Sequence, residues 1–81
     1  MEKMKTITIN NIKEIYEFVS ECSHSKLGAD IYAIKGKAVI PCTSIMGMFS
    51  IDTSTPFTVS YPDSEDSAEF EKYLSKFEVT E

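Results

Sequence analysis

Apolar residues recur at two different periods along this sequence, and the change from one to the other limits the folds open to it. Ile12, Ile15, Tyr16, Phe18, Val19 and Cys22 lie at helical spacing, as do Phe70, Tyr73, Leu74 and Phe77. Other short runs follow period two: Ile7 and Ile9 alternate with Thr6 and Thr8, and Phe57, Val59 and Tyr61 with Thr58 and Ser60. A sheet with one apolar face must be covered, and amphipathic helices cover it, so the two periods predict an α+β core.

Turn and cap residues divide the chain further. The first strand is expected over residues 4 to 9, ending at Asn10-Asn11. Asn11 and Glu14 have capping-box spacing at the head of an amphipathic helix over residues 12 to 22. Ser23 to Ala29, with Gly28, is a polar connection to a strand over Asp30 to Lys35; Gly36 supplies a tight turn and Ala38 to Pro41 return as a hairpin. Pro41 has no N–H to donate and stops the ladder. Ser44 is an N-cap for a short helix over Ile45 to Ser50, in which Gly47 costs ~1 kcal/mol relative to Ala and so implies a packing reason. Pro56 opens the last strand, Pro62-Asp63-Ser64 turns the chain, and a final helix is expected from Glu65 to Phe77. Acids crowd its start while Lys72 and Lys76 lie near its end, as the helix dipole favours. The order is β-α-β-β-α-β-α, with a hairpin at the centre of an antiparallel sheet.

Eighty-one residues, 42% apolar and 26% charged, allow one domain over residues 1–81 with a single core. The net charge is −5 and the lysines are scattered, which disfavours nucleic acid and anionic membrane surfaces as partners. No run approaches a membrane span and the N-terminus lacks a secretory apolar region, so the expected compartment is the cytoplasm. Cys22 and Cys42 are the only cysteines, too few for a zinc site of usual spacing, and are expected as free thiols.

Asp30-Ile31, Gly36-Lys37, Val39 and Ser44-Ile45-Met46-Gly47-Met48-Phe49-Ser50 fall at spacings that resemble the central half of HPr, the phosphocarrier of the bacterial sugar phosphotransferase system. The serine followed by Ile-Met-Gly carries most of the likeness. Outside residues 23 to 50, length and element order support it. The resemblance implies an open-faced β-sandwich, a four-stranded antiparallel sheet with three helices on one face. It also implies a phosphorylatable histidine at the start of the first helix, within a Gly-Ile-His-Ala-Arg-Pro segment whose N–H groups and arginine receive the phosphoryl group. Ungapped extension from Ser44 places Lys13 at the histidine and Ile15 at the arginine. No histidine precedes His24, and the chain has no arginine. A lysine ammonium is no substitute for a neutral imidazole nucleophile, so that route of phosphoryl transfer is lost.

Each remaining candidate has a plain reading. His24, the only imidazole, is read as a helix-end or loop residue near the last carbonyls. Ser44 contributes as an N-cap, and the resemblance adds a regulatory role, because the matching serine in Gram-positive relatives is modified by an ATP-dependent kinase; Thr43 stands where that family often has lysine. Ile45, Met46 and Phe49 match the apolar surface with which HPr docks onto proteins, while core packing of a short helix is the competing reading. Tyr32, Tyr61 and Tyr73 are expected to pack their rings and leave the oxygens wet. Asp63, Glu65, Asp66, Glu69 and Glu71 are read as a solvated helix start, without calcium-loop spacing.

The expectation is a non-enzymatic HPr-like regulatory or adaptor protein with no catalytic residue, metal or cofactor. HPr kinase or a transcriptional regulator of carbon catabolite control is the implied partner, and Ser44 the implied switch. Two alternatives stay open: a phosphocarrier with a non-standard acceptor, and an HPr fold given over to an unrelated interaction.

Overall fold

In the computed structural model, residues 2–78 are described. The elements are β1 (Glu2–Ile7), α1 (Ile12–His24), a single 3-10 turn (Gly28–Asp30), β2 (Tyr32–Lys35), β3 (Ala38–Pro41), α2 (Ile45–Phe49), β4 (Phe57–Pro62) and α3 (Ser67–Leu74). The strands form one sheet in the order β1-β4-β2-β3, with every neighbouring pair antiparallel. Its inner side, with Ile7, Ala33, Phe57, Val59 and Tyr61, packs in one cluster with Ile15, Phe18, Val19 and Cys22 of α1, Met48 of α2, and Phe70 and Leu74 of α3. This is the α+β architecture the two periods predict.

Local chemistry moves several boundaries. β1 starts at Glu2 and ends at Ile7 rather than Ile9, because Thr8 N and Ile9 N leave the ladder and donate to Phe77 O (3.1 Å) and Thr53 O (2.7 Å). Ile9 is therefore buried without being a strand residue. Asn11 caps α1, but its Oδ1 accepts from Lys13 N at 2.8 Å, the second position and not the third that a capping box would use. Asp30 belongs to the 3-10 turn, so β2 opens at Tyr32. Gly36, at φ 60, makes the hairpin turn. α3 is shorter than expected at both ends: Ser67 Oγ donates to Ser64 O at 2.6 Å and closes a turn over Glu65 and Asp66, while Phe77 lies in a turn after Leu74.

Two expectations about side chains fail. Ile12 and Tyr16 are 64% and 57% exposed instead of completing α1's buried stripe. At about 100° per residue they stand roughly 60° and 100° to one side of Ile15, on a shoulder of the helix beyond the sheet's reach. The tyrosine oxygens are also not generally wet. Tyr61 is 1% exposed and its hydroxyl donates to Glu71 Oε2 at 2.8 Å, while the Tyr73 hydroxyl is buried with no partner among the described residues. Burial, then the nearby Glu21 carboxylate, push the Tyr73 hydroxyl up to about 12. The rings themselves pack as expected, Tyr61 edge-on to Phe70 and Tyr73 against Phe18 and Phe77.

Gly47 has the packing reason its helix cost implies. A Cβ there would lie 2.5 Å from Ile40 Cγ2 on β3, so the absence of a side chain lets α2 sit directly on the sheet.

Candidate functional site

The face beside Ser44 is built from the capping geometry outward. Ser44 has extended backbone angles (φ −99°, ψ 109°), its Oγ accepts from Gly47 N at 3.1 Å, and its carbonyl accepts from Met48 N at 3.0 Å. These bonds fix the first turn of a five-residue helix that could not persist alone. The side chain is half-buried. Its structural role as N-cap is thus in place.

Five residues of helix leave little choice about which side chains point inward. Met48 is fully buried and Ile45 leans on the core, whereas Met46 is 79% and Phe49 41% exposed. Core packing accounts for Met48 and part of Ile45, and does not account for Met46 or for the exposed part of Phe49. Tyr16 meets Phe49 edge to face, with ring centroids 5.5 Å apart. Ile12 precedes Tyr16 by one turn on the same side of α1. Ile12, Tyr16, Phe49 and Met46 therefore make one apolar strip across two helices. The sequence pointed to the α2 half of it; Ile12 and Tyr16 were legible only as helix-period residues, and the signal that sets them apart is their offset from the Ile15-Phe18-Val19-Cys22 line.

Lys13 is exposed in the first turn of α1, beside the capping Asn11. His24 ends α1 with its Nδ1 2.7 Å from Ser20 O, the bond to a last-turn carbonyl that its position implies. It is the whole length of the helix away from Lys13. Cys22 and Cys42 are free, fully buried neighbours, and hydrogen bonding to Cys42 and burial hold the Cys22 thiol far above the ordinary range. Glu71 departs from the expected solvated acid cluster: its carboxyl is held below the usual range by the Tyr61 hydroxyl and by Lys3, whose Nζ lies 3.3 Å from Oε1. Among the described residues no three histidines, cysteines or acids come together as a metal group, and no helix is long and apolar enough to cross a membrane.

The sheet order and the single helical layer define the fold as that of the HPr-like open-faced sandwiches. A solved structure described as the phosphocarrier protein HPr from Bacillus anthracis str. Ames superposes with a TM-score of 0.72 over 96% of each chain, at 22% sequence identity. No protein-family model matches the sequence, and no curated protein matches it.

Proposed function

We propose that this chain is a non-enzymatic docking module derived from the phosphotransferase-system phosphocarriers, working in the cytoplasm by binding a protein partner through the Ile45, Met46 and Phe49 face and switched by phosphorylation of Ser44. The observation that carries the reading is the continuous strip of Ile12, Tyr16, Phe49 and Met46 beside Ser44, since contiguous exposed apolar side chains mark interaction surfaces where scattered ones do not. The fold shared with a phosphocarrier supports the lineage. Lys13 in the position expected for a phosphohistidine argues against a relay and for a partner-binding role. HPr kinase is the candidate modifying enzyme, and a transcriptional regulator the candidate partner.

A phosphate on Ser44 would add about −1.5 to −2 charge at the head of α2, next to apolar side chains. That charge rebuilds the surface electrostatically without requiring a fold change. The test is intact mass after incubation with ATP and a Gram-positive HPr kinase. One added phosphoryl group, absent from Ser44→Ala, is the expected outcome; no gain while HPr is modified alongside would sink the switch.

The fold likeness to a phosphocarrier favours one second reading, acceptance of phosphate from phosphoenolpyruvate at a non-standard residue. Acid-labile or base-labile phosphate on this chain after incubation with phosphoenolpyruvate and the phosphotransferase-system enzyme that phosphorylates HPr would establish it in place of the docking role.

A further inference from the structure

Side chains directly opposite one another on antiparallel strands share a face, so the register sorts the sheet. Lys3, Lys5 and Ile7 lie with Tyr61, Val59 and Phe57 on the helix-covered side. Met4 and Thr6 lie with Ser60 and Thr58 on the other, joined by Tyr32 and Ile34 across β4 and by Pro41 and Val39 across β2. β1 thus inverts the common arrangement, in which charges take the solvent face. Its lysines turn inward and snorkel past the margin to Glu71 and Glu78, at 3.3 and 3.4 Å. Of the strand residues on the open face only Glu2 is charged, and its carboxylate accepts from Ser60 Oγ at 3.2 Å. Met4 is 60% and Val39 61% exposed there.

We infer that this open face is a weak self-association surface on which two copies pack sheet to sheet. Charge selects the occupant. The chain carries −5, so two copies repel wherever their acid-rich helical sides meet, and the open face, whose one charged strand residue is Glu2 at the end of β1, is where they approach with the least like charge. A basic partner would instead seek the acidic surface. Pairing edge to edge is blocked on one side by the inward lysines and by the bridge from Ile7 to Glu78, and the other edge strand ends in Pro41. Face-to-face packing of two sheets is left. Four strands about 4.8 Å apart and roughly five residues long present on the order of 300 Å² in plan, well under the ~800 Å² per partner of a standard interface, so the dimer forms only at high concentration.

This inference stands apart from the docking role of α2. Sedimentation equilibrium of the full chain from 10 µM to 1 mM tests it. Expected is a mass rising toward the dimer near the top of that range, tightening several-fold between about 10 mM and 150 mM salt as the mutual repulsion is screened. Val39→Glu and Met4→Glu, each at an exposed position and each checked for folding by circular dichroism, should abolish the rise, while Met46→Asp should leave it. A monomer at 1 mM in both salts overturns the inference. So does a dimer that survives both open-face variants, one that weakens with salt, or one that Met46→Asp removes.

Discussion

The helical layer ends differently on its two sides. Where α3 meets β1, polar groups close the margin: Tyr61 donates to Glu71, Lys3 pairs with Glu71 and Asp63, and Lys5 pairs with Glu78. Where α1 meets α2, the margin is left apolar and open, with Ile12, Tyr16, Met46 and Phe49 facing solvent. Both are rims of one small core, so the same covering devices were open to each. Half-exposed ion pairs add little stability but keep a rim soluble and fix its geometry. Large apolar side chains left in water add none, so the strip is the margin that the proposed docking role would use, while the polar margin serves closure of the core.

The sharpest break in that contrast comes from removing Tyr61. Its ring is enclosed beside Phe70 and its hydroxyl anchors Glu71, so Tyr61→Ala should lower unfolding free energy by ~3–5 kcal/mol in urea denaturation. A loss below ~1 kcal/mol would mean that the closed margin contributes little to the fold. Acid titration gives a gentler probe of the same rim. Because the Glu71 carboxyl is held low in the folded chain by Tyr61 and then Lys3, the unfolded chain takes up its proton first as pH falls. The stabilisation is complete above the ordinary glutamate range near pH 4.3 and drains away as pH drops through the lower folded value. Tyr61→Phe and Glu71→Gln should both flatten the stability curve between about pH 5 and 3, and an unchanged slope in both would remove Glu71 from the account. The smallest effect belongs to the open margin: Met46→Asp should shift stability by no more than ~0.5 kcal/mol, since little of that side chain is covered. A loss of 2 kcal/mol there would recast the strip as structural and undo the contrast.

Much of the architecture was legible because period and punctuation agreed. Alternation marked Phe57, Val59 and Tyr61, Gly36 marked the hairpin, and Ser44 and Gly47 marked a short helix with its packing constraint. Boundaries were less so, since they depend on long-range partners: nothing local says that Thr8 N will find Phe77 O instead of a strand neighbour. The exposed shoulder of α1 escaped for a related reason. Ile12 and Tyr16 satisfy a helical period, and only the width of the sheet decides how much of an apolar stripe is covered. The inward lysines of β1 were hidden because alternation tells which residues share a face but not which face turns toward helices. For the site, residue identities in α2 were readable, while their division into buried Met48 and exposed Met46 and Phe49 required the placement of the helix on Ile40.

The strand order has a further consequence during synthesis. β4 lies between β1 and β2, so β1 has no neighbour in the sheet until residues 57–62 exist. A growing chain can close the β2–β3 hairpin and wind α1 early, but its N-terminal strand must wait, solvated or loosely collapsed, for a segment some fifty residues behind it. Assembly is thereby tied to the emergence of β4. A ribosome stalled short of Phe57 would hold a nascent chain whose β1 is exposed to proteases and chaperones, however complete its helices.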